Sequence, residues 1–290
     1  LRSTHVKTYL TKTLKPNAMK KLMIVSLAIF VGLQAFAQHS LQLLWQTDTT
    51  LKAPESALYD AKSKMLYVSN IGEFDKPGTG SVSKVGLDGK IIQNNWVTGL
   101  TSTKGLGLYK NLLYAAEEST VAVIDVNKAA IIKRITVDGA QMLNDIAIDA
   151  NGIVYVSDTK TNKVHKIEND KATVYLENMT SANGLLAVGT NLYILTGTTF
   201  QKADANKNLT TLATGIEGGA DGIVMVNATD FIVTGWEGTA YYVTPDGKKQ
   251  TLLDGRSDKT NAADLGFNPS AGVVYVPAML KNKLIAYKVK

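Results

Sequence analysis

Across 290 residues, thirty-one Lys and Arg stand against twenty-five Asp and Glu, a formal net charge of +6. The excess lies wholly in residues 1–37, where Arg2, Lys7, Lys12, Lys15, Lys20 and Lys21 meet no acid, so the chain from Gln38 onward is formally neutral. A neutral body gives no electrostatic footprint for nucleic acid or an anionic membrane, and with no cysteine there are no disulfides and no thiolate metal sites.

In chain order, the first recognisable segment is a targeting signal. Met19-Lys20-Lys21 is a short basic start, Leu22 to Leu33 is apolar and uncharged, and Ala35-Phe36-Ala37 is a small-x-small site. That run is shorter than the ~20 residues of a spanning helix and matches a secretory signal peptide over 19–37. Export to the periplasm or the medium is therefore expected, with Gln38 the first mature residue and no membrane span in the mature chain. Residues 1–18 lie upstream of this start and are set aside as an extension. Residues 38–290 read as one domain, and a monomer is expected.

From Glu55 onward one unit recurs: an alternating segment, a turn, then an apolar-Tyr-apolar strand. Glu55 to Asp60 precedes Met65 to Ser69, and Lys104 to Leu108 precedes Leu112 to Ala115. Asn144 to Asp149 precedes Val154 to Ser157, and Asn183 to Ala187 precedes Leu192 to Ile194. Asp221 to Met225 precedes Phe231 to Val233, and Ala263 to Phe267 precedes Val274 to Val276. First residues at 55, 104, 144, 183, 221 and 263 give spacings of 49, 40, 39, 38 and 42. Strand-rich copies of that length match propeller blades. Asp88-Gly89, Asn151-Gly152 and Asp246-Gly247 sit between alternating runs, where hairpins need positive φ. The fold expected is all-β, a six-bladed β-propeller. Its last blade lacks one strand, which Leu41 to Gln46 supplies by pairing with the C-terminal strand and closing the ring.

Blades related by rotation place equivalent positions on a ring around the central axis. The first position of the repeat reads Glu55, Lys104, Asn144, Asn183, Asp221, Ala263. Taken singly, Asn183-Gly184 and Asp221-Gly222 are turn dipeptides and Glu55 is a strand end. Taken at one phase, two carboxylates and two amides make a hard, oxygen-lined site suited to Ca²⁺, with Mg²⁺ or Mn²⁺ as alternatives. Lys104 shares the ring, as a surface lysine or as a holder of an anionic substrate. Trp236, in "TGWEGTAYY", either lines the channel mouth or packs on a blade face.

These residues resemble the regucalcin/gluconolactonase propellers, the senescence marker protein type. The likeness is carried by Glu55 after Pro54, "NDIAIDANGIVYVSD" from Asn144, "ANGL" from Ala182 and "ADGI" from Ala220. Diisopropylfluorophosphatase and paraoxonase share that architecture. The resemblance implies that Glu55, Asn183 and Asp221 bind a catalytic metal and that Asn144 binds metal or substrate. It also implies Asp221 as general base in opening a small lactone or ester. Two departures stand out. Met142 occupies the place, two residues before Asn144, where the family often has Arg, and Ser56-Ala57 replaces Gly-Pro. Met142 and Lys104 are therefore the residues that would set substrate choice.

Other chemistries lack parts: there is no Gly-x-Ser-x-Gly elbow, P-loop or dinucleotide fingerprint. His39 is near the mature N-terminus, and His165 reads as part of an outer strand. The competing reading is a non-catalytic propeller of the NHL kind, binding a ligand or protein with a structural metal or none.

Overall fold

The structure, a computed structural model, describes residues 38–74 and 76–290. The signal segment at 19–37 and the extension at 1–18 lie outside the described residues. Five repeat copies fold as four-stranded antiparallel meanders and the sixth supplies three strands, so that with the N-terminal strand the described residues form six four-stranded sheets. The innermost strands are Pro54–Asp60, Leu106–Tyr109, Leu143–Ile148, Ala182–Val188, Ala220–Met225 and Gly266–Asn268. They touch in cyclic order, the sixth against the first, which closes a six-bladed propeller around a central channel. Leu41–Gln46 pairs antiparallel with Lys283–Val289 and is the outermost strand of blade six, as expected.

The apolar-Tyr-apolar runs become the second strand of each blade. Neighbouring blades cover both faces, so these strands carry continuous apolar residues: Leu66, Val68, Leu113, Ala115 and Val156 are fully buried. The core is therefore divided between blades, and one cluster joins Val121 and Val123 of blade two to Leu143, Ile146 and Val156 of blade three. Gly89, Gly152 and Gly247 have φ of +85°, +86° and +79°, as hairpin turns require. Two 3₁₀ turns, Arg256–Asp258 and Met279–Lys281, interrupt the strands. No helix of the described residues is long and apolar enough to cross a membrane.

One irregularity repeats. Pro54 pairs with Asn70 and Ala57 with Val68, so Glu55 and Ser56 together oppose Ser69. At the same phase Asn144 and Asp145 oppose Ser157, Asn183 and Gly184 oppose Leu195, and Asp221 and Gly222 oppose Thr234. Such a bulge re-aims side chains and takes an N–H out of the ladder. In three blades the opposing hydroxyl accepts it. Ser56 N–H donates to Ser69 Oγ at 2.9 Å, Asp145 N–H to Ser157 Oγ at 2.9 Å, and Gly222 N–H to Thr234 Oγ1 at 2.8 Å. Ser157→Ala strands a buried N–H and is expected to cost about 1–3 kcal/mol. At this chain length that is a fall of roughly 2–10 °C in Tm. Ser157→Thr keeps the oxygen and should restore most of it, whereas an unchanged Tm in the alanine variant would show that the amide has another acceptor.

Candidate functional site

The four bulges bring the oxygen-bearing residues to one end of the channel. Glu55, Asn144, Asn183 and Asp221 are each the second residue of an innermost strand and the first of a bulged pair. Lys104 and Ala263 lie just ahead of the other two strands. Glu55, Asn144 and Asp221 are 6%, 7% and 1% exposed, and Asn183 is half-buried. Each presents one buried oxygen without a hydrogen-bond partner: Glu55 Oε2, Asn144 Oδ1, Asn183 Oδ1 and Asp221 Oδ1. Buried acceptors are nearly always satisfied, and four of the eight orphan side-chain atoms among the described residues fall at this one repeat phase.

Neighbouring bonds turn the amides so that oxygen is the free end. Asn144 Nδ2 donates to Thr159 Oγ1 at 3.1 Å, and Thr159 Oγ1 donates to the Ala182 carbonyl at 2.7 Å. The Asn183 side chain lies beside the Asp221 carboxylate and favours its charged form. Glycine makes this closeness possible. A Cβ on Gly184 would lie 2.1 Å from the Asp221 carbonyl oxygen, and one on Gly222 2.6 Å from Leu265 N. Neither glycine is among those of positive φ. Approach of neighbouring strands, not a turn, requires them.

One residue further along the strands is a second tier that sequence reasoning missed. Asp145 and Asp264 are 4% and 8% exposed there. Asp145 accepts the N–H groups of Ile146 and Leu185, both at 2.6 Å. Asp264 accepts Ser56 Oγ at 2.5 Å across the seam of blades six and one. Ser56, a departure from the family pattern, thus has a role in holding Asp264. The signal was available: the second phase of the repeat reads Ser56, Gly105, Asp145, Gly184, Gly222, Asp264.

Electrostatics follow from burying four carboxylates in two adjacent tiers of the channel, Glu55 and Asp221 in the ring and Asp145 and Asp264 behind it. Burial pushes Glu55 well above the usual carboxylate range, and the charges of Asp221 and Asp264 add to it. Burial likewise raises Asp145 and Asp221, with Asp264 adding in both cases, and carries Asp264 up to about 7. Burial lowers Lys104, while Glu55 and Glu118 favour its charged form. Its Nζ donates to the Ser102 carbonyl at 3.2 Å. A cation beside the ring opposes a second one, so Lys104→Met is expected to tighten Ca²⁺ binding several-fold by titration calorimetry. Weaker binding would mean that the lysine holds the ring in shape.

All four orphans are oxygens and two of them belong to carboxylates, the donor chemistry that hard divalent cations take. Among the described residues no group of three or more His, Cys, Asp or Glu is placed to share a metal. The fit therefore depends on the two amide oxygens beside the carboxylates.

Met142 lies half-buried just before Leu143–Ile148, its N–H donating to Asp158 Oδ1 at 3.1 Å and its carbonyl accepting Thr159 N–H at 3.0 Å. Trp236 is 39% exposed and does not pack into a blade. It borders a cavity of about 250 Å³ on the ring-end face with Arg256, Asn261 and Leu280. His165 is corrected from an outer strand to the third strand of blade three, Lys163–Glu168, where it is buried 3.9 Å from Asp158. His39 stacks on Tyr242 at 3.6 Å between ring centroids.

No protein-family profile matches the chain, and no curated protein matches it significantly. Solved structures do. A streptogramin B lyase superimposes with a TM-score of 0.66 at 10% identity, covering 89% of this chain and all of the other. A protein provisionally assigned as a gluconolactonase gives 0.65 at 14% identity, covering 88% and 93%. An inactive histidine-to-alanine variant of virginiamycin B lyase from Staphylococcus aureus, solved with quinupristin, gives 0.62 at 11%, covering 87% and 99%. The likeness read from the motifs is thus met at the level of fold: residues 39–290 form an all-β, six-bladed propeller of the architecture seen in these structures.

Proposed function

We propose that this chain is an exported, divalent-cation-dependent hydrolase of the lactonase type, opening a small lactone or ester at the ring of Glu55, Asn144, Asn183 and Asp221. The four unpartnered buried oxygens carry this reading. A cation held there, Ca²⁺ by preference, supplies Lewis-acid polarisation of the carbonyl and a lowered pKa for water.

The chain's own residues supply the rest. Asp221 is 1% exposed, with one oxygen unpartnered, and accepts the proton of the attacking water. Glu55 completes the charge of the ring. The Thr159 relay fixes the Asn144 amide, so the donor set is pre-oriented before substrate arrives. Lys104, at the ring phase, would be the group to meet the carboxylate that ring opening creates. Met142 stands in sequence where the family pattern often has arginine, which would disfavour a highly hydroxylated sugar lactone as substrate.

A lyase-type reaction is supported less well. The lyase neighbour loses activity through a single histidine-to-alanine change, whereas neither His39 nor His165 lines the channel. The second reading is a binding propeller, favoured by Met142 and Lys104. The test is hydrolysis of a panel of γ- and δ-lactones and aryl esters with Ca²⁺, then with chelator. Turnover that disappears with chelator and returns with Ca²⁺ is expected. Stabilisation by Ca²⁺ with no turnover across the panel would leave the binding module.

A further inference from the structure

We infer that the opposite end of the channel is a binding site for a small apolar ammonium ion. A cavity of about 380 Å³ opens there, lined by all six innermost strands beyond the ring. That volume is within the range of small-molecule sites, about 300–1,000 Å³. Each blade contributes a large apolar side chain to its wall: Leu58, Leu108, Ile148, Leu186, Met225 and Phe267. All six are only partly buried, so a concave apolar collar is left facing water.

The polar groups of this cavity are of one kind. Asp145, Asp264 and Ser56 form its floor, and no Lys, Arg or His among the described residues lines it. Both Asp145 oxygens are taken by backbone N–H groups. Asp264 accepts Ser56 Oγ, the Leu265 N–H also favours its charged form, and it is the more exposed of the two acids. Burial raises both acids, Asp264 to about 7, so above that pH the Asp264 carboxylate sets a negative potential between the low-dielectric walls of the cavity. An anion is excluded, and an uncharged amphiphile gains only apolar contact. A primary ammonium gains that contact and a charge-assisted hydrogen bond to Asp264. The site is therefore independent of whether the ring is catalytic.

The test is calorimetric titration of the purified protein above the Asp264 titration, at roughly pH 8.5, with hexylammonium, using hexanol and hexanoate as isosteres, in Ca²⁺ and in chelator. One hexylammonium is expected to bind at least about tenfold tighter than hexanol, with hexanoate showing no binding. Methyl resonances of Leu58, Leu108, Ile148 and Leu186 should shift. Asp264→Asn should remove the preference for the amine and leave hexanol binding unchanged. Should that variant fail to fold, Leu186→Trp at the half-exposed collar should block both ligands. Equal affinity for hexanol, or methyl shifts elsewhere, would overturn the inference.

Discussion

Asp221→Ala is expected to abolish Ca²⁺ binding in calorimetry and to lower lactone hydrolysis at least about a thousandfold. Asp221 supplies one of two formal charges in the ring, and its Oδ1 is one of the four orphan oxygens. Asn183 lies beside this carboxylate and favours its charged form, so the alanine also removes the neighbour of a second ring amide. Asp221→Asn keeps an oxygen and should retain weak binding without turnover. The same alanine should raise Tm in chelator, because it removes a fully buried carboxylate whose charged form is opposed by burial and by Asp264. Lost binding with gained stability is the mark of a residue kept for function. A destabilised apo variant would assign Asp221 to the fold.

The second large effect couples pH to the cation. Asp264 is raised to about 7 by burial, from an unfolded value near 4, and Glu55, Asp145 and Asp221 move the same way. The folded chain then holds protons that the unfolded chain has released. Stability of the cation-free protein must fall as pH rises from about 4 to about 7. Asp246 and Asp254 act oppositely, held at about 2 by hydrogen bonds from Lys248 and Arg256, but their window lies below pH 4. A divalent cation replaces the protons, so its stabilisation should grow with pH. The Tm gain with Ca²⁺ is expected to be small at pH 5 and roughly 5–10 °C at pH 8, for a few kcal/mol recovered. A gain independent of pH would place the ion away from these carboxylates.

The blades were legible because a period near forty and the apolar-Tyr-apolar strands are local patterns, and closure followed from counting strands. Glu55, Asn144, Asn183 and Asp221 were legible because rotation turns one repeat phase into a ring. Sequence could not show that Ser69, Ser157 and Thr234 complete bulges, since a hydroxyl in a strand has many uses. Asp264 was missed because it follows Ala263, which alone suggests a blade without a polar contribution. Its meaning arises only from Ser56 across the seam, 208 residues away. His165 was misplaced for a related reason: "NKVHKIE" alternates like a half-exposed strand, yet neighbouring blades cover its histidine.

The most direct test of the central claim is an anomalous difference map from crystals soaked in Mn²⁺. A single peak is predicted on the channel axis, roughly 2.1–2.5 Å from Glu55 Oε2, Asn144 Oδ1, Asn183 Oδ1 and Asp221 Oδ1. No peak there at saturating Mn²⁺, or a peak held by Asp145 and Asp264 instead, would contradict it.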